Sequence, residues 1–464
     1  MNDNLSARKS KRKLNNSQII ALGFAGVIFV GALLLCLPIA TVPGQETSFI
    51  DALFTATTSV CVTGLVTTVT ASHWTLFGQI IILLLIQLGG IGVIAMTTMI
   101  FVSLGKRVSM RNRKLIQESY NLDSMAGLVR IVKKVLFCII MAELIGMVFY
   151  AIRLVPRYGL VQGLWQSLFT SVSAFCNAGI DIMGENSLAP YAGDWLVNFT
   201  TMGLIVAGGL GFMVWWDLAK NGKAVARKQL PLSRFWGNLK LHSKVVLSAT
   251  AVLILFGAFL IFVFEYHNPE TLGAQPMGTR ILESLFQSVT TRTAGFFTVD
   301  QAKLTDASVS MSLVWMFVGG SPMGTAGGIK TTTMVILIFT VIAYLKGKKD
   351  TELFHRRVKV SIVRSALVVV CVEFATLFVA CILLSVLEPK ADFVDIVYEL
   401  TSAVATVGLS RGITPTLSAA GKLVVILTMY LGRIGPVTMA TAIVLKAESR
   451  TEGIRLPEDN VMIG

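Results

Sequence analysis

Charge is what this 464-residue sequence has least of. Only 14% of its residues are Asp, Glu, Lys or Arg, against about 25% in ordinary soluble domains. Mean hydropathy is +0.72 over the whole length, so the apolar excess is not one local anchor and the chain reads as mostly embedded in lipid. Cysteine is equally sparse. Cys36, Cys61, Cys138, Cys176, Cys371 and Cys381 form no C-x-x-C pair and lie in or beside apolar stretches, where they read as small buried hydrophobes. The four histidines show no metal-ligand spacing. No clustered His/Asp/Glu set suggests catalysis, so the chain does not read as an enzyme. No signal peptide is visible: residues 1–18 are polar and basic (RKSKRK at Arg8–Lys13), and the apolar stretch that follows is long enough to span.

The charge that is present is uneven. The net charge is +14, which could suggest nucleic acid, but its distribution points elsewhere. Of 40 Lys and Arg, 30 fall in residues 1–18, 105–134, 219–244, 345–364 and 446–455. These runs separate eight apolar stretches near 19–40, 74–103, 128–152, 195–219, 245–266, 307–345, 361–386 and 419–445, each long enough for the roughly 20 helical residues a bilayer requires. Basic runs between spans follow the positive-inside pattern. Both termini and three linkers are therefore expected to be cytoplasmic, with no nucleic acid as partner.

Within each pair of stretches lies a shorter, Thr-, Ser- and Gly-rich segment: 49–65, 163–180, 279–296 and 393–409. These are too short to span and read as re-entrant, which membrane depth tolerates only where the backbone faces protein or water. On this orientation they open outward, among Glu46, Asp51, Asp181, Glu185, Asp194, Glu270, Glu283, Asp300, Asp306, Asp392 and Asp395. An acidic outer face concentrates cations; a solvated loop surface reads the same way.

The re-entrant segments end alike: TTSVCVTGL (Thr57–Leu65), SAFCNAGI (Ser173–Ile180), TTRTAGF (Thr290–Phe296) and SAVATVGL (Ser402–Leu409). Gly64, Gly179, Gly295 and Gly408 follow one another at 115, 116 and 113 residues, close to a quarter of the chain. A second glycine cluster follows in each next apolar stretch: Gly89-Gly90, Gly208-Gly209, Gly319-Gly320 and Gly432. A single glycine would serve close helix packing equally well. Four in register, each flanked by two spans, make an internal repeat. Carbonyls that all point to one axis can replace the water shell of a potassium ion, and glycine reaches the backbone angles this requires. The candidate filter is Val62, Thr63 and Gly64; Asn177, Ala178 and Gly179; Thr293, Ala294 and Gly295; and Thr406, Val407 and Gly408. Each preceding short helix would aim its negative end at the cation.

These motifs and their spacing resemble the Trk/Ktr/HKT superfamily of potassium transporters, over nearly the whole chain from about residue 17. The resemblance is nearest to the membrane subunit of bacterial Ktr systems. The two additional N-terminal spans of Trk-type subunits are absent, and the tail RLPEDNVMIG resembles a Ktr C-terminus. Family members with serine at the first filter position tend to favour sodium. Gly64 stands there, which implies potassium. No TVGYG is present, TVGL at Thr406–Leu409 coming nearest, and this less strict filter implies modest selectivity. The resemblance also implies a homodimer, Na+ as a modulator, and a cytosolic ring of KtrA-like regulatory subunits binding ATP or ADP, since this chain has no nucleotide-binding domain. No cofactor is expected in the chain itself.

The sixth apolar stretch is too long for one crossing and contains FVGGSPMGTAGGIKTTT (Phe317–Thr333). Five glycines and a proline disfavour helix there. A phosphate-binding loop would need lysine directly after glycine, and Ile329 intervenes between Gly328 and Lys330. The expected element is an unwound loop beneath the filter, formed by Gly319, Gly320, Gly324, Gly327 and Gly328, that blocks or clears the pore. This matches the family's intramembrane gating loop. Arg433, mid-span in the eighth stretch, is a charge at membrane depth and a functional candidate by default; it could bond the loop carbonyls, and the family places a basic residue near the pore here. Lys330 either adds a positive charge below the filter or snorkels toward the cytoplasm. Glu143 and Glu373 either pair with basic groups or mark a coupling-ion site.

The expected fold is all-α membrane: four helix–pore loop–helix repeats, with eight spans and four pore helices around one pseudo-fourfold pore. Repeat boundaries fall at 19–104, 105–219 (with its preceding linker), 220–345 and 346–446, flanked by basic N-terminal residues 1–18 and a tail at 447–464. The expected function is passive, gated K+ uptake across a bacterial cell membrane. Its nearer rival is a secondary transporter coupling K+ to Na+ or H+; its farther rival is a polytopic membrane enzyme.

Overall fold

The computed structural model describes residues 16–92 and 128–435. The basic runs 1–15 and 446–455, most of the 105–134 linker and the C-terminal tail lie outside the described residues, as do the far ends of the stretches expected at 74–103 and 419–445.

The described chain falls into four similar quarters. Each opens on a long apolar helix: Asn16–Leu35, Leu128–Tyr158, Leu241–Glu265 and Val360–Leu387. A short helix follows, at Phe49–Cys61, Leu160–Cys176, Met277–Thr290 and Phe393–Val404, then a glycine loop. A second apolar helix closes the quarter, beginning at Leu76, Trp195, Asp306 and Ala419. The second helices start where a side chain can take up a free backbone N–H. Thr75 accepts from Gly78 N, Asp194 from Leu196 and Val197 N, Thr305 from Ser308 N, and Ser418 from Gly421 N.

Surface and interior are inverted relative to a water-soluble protein. Large apolar side chains such as Phe137, Val148, Leu255, Phe259, Phe374 and Phe378 stand exposed, while Thr57, Thr58, Ser59, Ser171, Ser173, Thr290, Thr291 and Ser402 are fully or almost fully buried. Water would not tolerate that exterior, and lipid does. Four described helices are long and apolar enough to cross a membrane, and five if one bent pair is a single span.

That bent pair departs from the sequence reading. A single span was expected over 195–219; instead Trp195–Leu210 and Phe212–Ala226 meet at 99°. Gly211 makes the corner at φ 85°, a left-handed conformation that glycine adopts at little cost. The two carbonyls before the corner, on Gly208 and Gly209, have lost their helical partners and become acceptors for another part of the chain.

The quarters pack in a cycle. The short helix of the first quarter rests against the last helix, Ala419–Ile434; that of the second against Leu76–Ile91; that of the third against Trp195–Leu210; and that of the fourth against Asp306–Phe317. Close approach in three of these quarters depends on one glycine. A Cβ on Gly89, Gly208 or Gly432 would overlap the carbonyl oxygen of Val60, Phe175 or Val404, each four residues before a loop glycine.

Candidate functional site

The short helices end inside the molecule rather than at its surface. Two residues before each loop glycine the backbone turns left-handed: Val62 at φ 55°, Asn177 at 59°, Thr293 at 67° and Thr406 at 51°. For valine and threonine this is a true outlier, and it persists because the turn is over-determined. In three quarters the next N–H reaches back five residues, Thr63 to Thr58 O, Ala178 to Ser173 O and Val407 to Ser402 O, all at 2.8 Å. Hydroxyls hold the glycines that follow: Gly64 N donates to Thr58 Oγ1 and Gly408 N to Ser402 Oγ, both at 2.9 Å. The third quarter is built differently: Ala294 N bonds Thr290 O at 3.0 Å, and Thr290 Oγ1 donates to Phe296 O.

The four glycines meet around one axis. A Cβ on Gly64 would stand 2.6 Å from the Ala178 carbonyl oxygen, one on Gly179 2.5 Å from that of Ala294, and one on Gly295 2.8 Å from that of Val407. One on Gly408 would overlap the carbonyl of Thr63 and close the ring. Every glycine faces the carbonyl of the next quarter, and the fourth faces the first. Val62, Thr63, Asn177, Ala178, Thr293, Ala294, Thr406 and Val407 are all buried beside them. The hydroxyls of Thr63, Thr293 and Thr406 have no hydrogen-bond partner.

All four glycines line an open vestibule of about 460 Å³, walled also by Asp181, Glu185, Asp300 and Arg411. Three other acids expected on this face are paired with basic side chains. Asp395 pairs with Arg411 at 2.6 Å, Asp51 with Lys422 at 2.7 Å and Asp194 with Arg153 at 3.1 Å. Burial alone would raise the pKa of Asp51, but Lys422 and Ser48 hold its carboxyl below the ordinary value.

On the opposite side of the ring, helix Asp306–Phe317 stops and the chain loops to Thr331. The neck of this loop is closed by Gly319 N to Ile329 O at 3.0 Å and Thr331 N to Gly320 O at 2.9 Å. Its body docks on the acceptors left by the Gly211 corner: Ser321 N to Gly209 O at 2.8 Å and Thr325 N to Gly208 O at 3.0 Å. Thr325 Oγ1 also donates to Phe175 O at 3.0 Å. Arg433 Nη1 donates to Thr325 O at 2.7 Å and its Nη2 to Gly89 O at 2.5 Å. Arg433 lies in the last turn of the described helix Ala419–Ile434; the remainder of the stretch expected to reach 445 lies outside the described residues. Lys330 Nζ does not extend away from the loop; it donates to Ala326 O at 2.8 Å. Gly327 sits so tightly under the ring that a Cβ there would overlap the Thr406 hydroxyl. Gly324 faces the Gly208 and Gly209 carbonyls, and Gly319 and Gly328 face one another across the neck.

Glu143 and Glu373 are buried at corresponding places, on the first helices of the second and fourth quarters. Gln87 Nε2 donates to Glu143 at 2.6 Å, whereas Glu373 Oε2 has no hydrogen-bond partner. Gln87 and Arg292 escaped the sequence reading. Arg292 is buried three residues before Gly295, with Nε unpartnered; it stands where the other quarters carry Cys61, Cys176 and Ala405. Its signal was present, since a charge inside a re-entrant segment is as anomalous as one inside a span.

A lipid-facing exterior and a fourfold ring of carbonyls and glycines, open to a vestibule on one side and covered by a loop on the other, define a class: helical membrane proteins with a central axial path. The chain belongs to the TrkH family of cation transport proteins, whose family model matches residues 10–452. It is a family of transporters rather than enzymes. The chain is 39% identical to the Ktr system potassium uptake protein B of Bacillus subtilis, over 96% of both chains. It is 38% identical to the potassium/sodium uptake protein NtpJ of Enterococcus hirae, over 98% of this chain and 99% of that one. The crystal structure of the potassium transporter TrkH from Vibrio parahaemolyticus has the same fold, with a TM-score of 0.74 at 15% identity, covering 94% of this chain and 86% of that one.

Proposed function

We propose that this chain is the membrane subunit of a potassium uptake system and passes K+ down its electrochemical gradient through the four-glycine ring. The observation that carries this reading is the closed cycle in which Gly64, Gly179, Gly295 and Gly408 each face the carbonyl of the next quarter. Such a ring offers a dehydrated cation oxygen ligands from all sides. The four short helices point their C-terminal, partially negative ends at it, and the unpartnered hydroxyls of Thr63, Thr293 and Thr406 supply further oxygens. The eight-span, four-pore-helix arrangement, with repeats at 19–104, 105–219, 220–345 and 346–446, belongs to this reading. So do an outward-facing vestibule and cytoplasmic termini in a bacterial cell membrane.

The loop over Gly319–Gly328 is the gate in this reading. Beneath the ring, tied to Gly208, Gly209 and Phe175 and clamped by Arg433, it obstructs the axial path. Lys330, bonded back to Ala326 O, places a positive charge where a cation must pass. The names of the Ktr relatives support a partner subunit; a homodimer, a cytosolic KtrA-like ring that binds ATP or ADP and releases the loop, and Na+ as modulator are part of this reading through the family resemblance. A coupled transporter is favoured by one observation only, the buried and unpartnered Glu373 Oε2. The test is K+ and Na+ flux in liposomes. A ratio of permeabilities above one that collapses in Gly64→Ser supports the ring as filter, an unchanged ratio removes it, and a reversal potential fixed by both ions at one stoichiometry establishes coupling.

A further inference from the structure

A second cavity, of about 540 Å³, lies away from the axial path, between the starts of helices Leu241–Glu265 and Val360–Leu387, the helix Thr331–Leu345 and the gate loop. Its composition is two-ended. One wall is apolar, with Val245, Ile336 and Ile362. The rim carries Arg357, Lys359 and the imidazole of His242, and no acid is among the described residues that line the cavity. Arg357 is partly balanced by Asp350, at 2.8 Å, while both Arg357 and Lys359 remain exposed. The floor is Pro322 and Met323, the tip of the gate loop, and Met323 O there accepts from Phe212 N at 3.2 Å, just past the Gly211 corner.

An apolar slot under a basic rim, at the end of the molecule where the positive-inside pattern puts the cytoplasm, fits one class of ligand. We infer that this cavity binds an anionic phospholipid of the inner leaflet, with its phosphate on Arg357 and Lys359, an acyl chain along Val245, Ile336 and Ile362, and its end against the gate loop. A nucleotide fits the lining less well: among the described lining residues His242 is the one aromatic ring, and no glycine is present to let the backbone cradle a polyphosphate. A neutral lipid leaves the rim charges unanswered. The direction of the effect follows from which loop conformation forms the site. Pro322 and Met323 line the cavity with the loop docked, so a ligand held there binds the docked state better and shifts the equilibrium toward it. Anionic lipid therefore restrains conduction. This rests on the proposed K+ pathway and orientation, so the test needs one readout independent of transport.

Native mass spectrometry of the full chain released from vesicles containing phosphatidylglycerol supplies that readout. The wild type should retain one more phosphatidylglycerol per chain than the Arg357→Gln/Lys359→Gln variant. In parallel, wild-type K+ flux should be lower by about fivefold, a usual size for coupling between two sites, in mixed phosphatidylcholine–phosphatidylglycerol vesicles than in phosphatidylcholine alone. The double variant should conduct equally in both. Equal lipid retention by the two proteins overturns the site, as does wild-type flux that ignores lipid charge. Relief of the restraint by inorganic phosphate on the cytoplasmic side overturns it too, since the cavity would then take a free anion. Absence of K+ flux in every vesicle removes the transport reading instead and leaves the lipid count to decide the cavity.

Discussion

At the scale of single residues, the ring leaves no room for a side chain. Gly64 has φ 101°, and a Cβ there would lie 2.6 Å from the Ala178 carbonyl oxygen. Gly64→Ser should lower the K+/Na+ permeability ratio several-fold, as read by reversal potentials in reconstituted vesicles, and the added side chain should also cost about 1–3 kcal/mol of stability through overpacking. Gly89→Ala tests packing instead of selectivity. Its added methyl meets the Val60 carbonyl inside the first quarter, so thermal unfolding in detergent should come earlier while the ion preference of surviving protein is unchanged. The loop glycines were legible because they recur at nearly constant spacing. The residues holding them were not. Thr58 and Ser402 accept the glycine N–H groups, but threonine and serine are so frequent in these segments that composition singles out neither.

At the scale of elements, the informative pair is the corner at Gly211 and the loop that docks on it. The sequence marks the Gly319–Gly328 segment as non-helical by its breakers. It does not single out the 99° corner: Gly208, Gly209 and Gly211 stand in WLVNFTTMGLIVAGGLGFMVWWDL, but in an otherwise apolar run they read equally well as sites of close helix packing. Only the folded chain shows that the corner frees the Gly208 and Gly209 carbonyls and that the loop takes them. Arg433→Ala removes two donors from this assembly, to Thr325 O and Gly89 O. Hydrogen bonds from a charged donor contribute about 1.5–3 kcal/mol each. Losing one from the docked state should therefore raise K+ flux on the order of tenfold and weaken its dependence on a nucleotide-binding partner. Deletion of the loop tip should act in the same direction. Unchanged flux in two stable, folded variants, under all nucleotide conditions, would place the gate elsewhere.

At the scale of the whole molecule, the four quarters are joined at their outer ends as well as at the ring. Asp51, from the first short helix, pairs with Lys422, from the last helix, Ala419–Ile434. The Asp51 carboxyl is held below its ordinary pKa, so the pair stabilises the fold above the usual carboxylate range, near pH 4, and fades as pH falls through the folded value. Asp51→Asn should lower the unfolding temperature at pH 7 and make little difference once the wild-type carboxyl is protonated. Sidedness is a separate test: a cysteine at 350 should label only from the cytoplasm and one at 188 only from outside. The fourfold order was legible from glycine spacing, and the lipid-facing exterior from hydropathy. Which quarter neighbours which was not, because the contacts that decide it, such as Tyr430 to Ala21 O at 2.7 Å, join residues far apart in the chain.

That cyclic order has a consequence for synthesis. The contact that closes the ring joins Gly408 to Thr63, and the clamp on the loop comes from Arg433, later still. Chains lengthen from the N-terminus at about 5–20 residues per second. Three quarters are therefore in the membrane for several seconds before the fourth can complete the ring. On the proposed function, an unfinished chain offers three sides of a cation site and none of the Arg433 contact that holds the loop. The two arrive together, within 25 residues of each other, so on that reading a ribosome that finishes the pathway for ions finishes its closure almost at once.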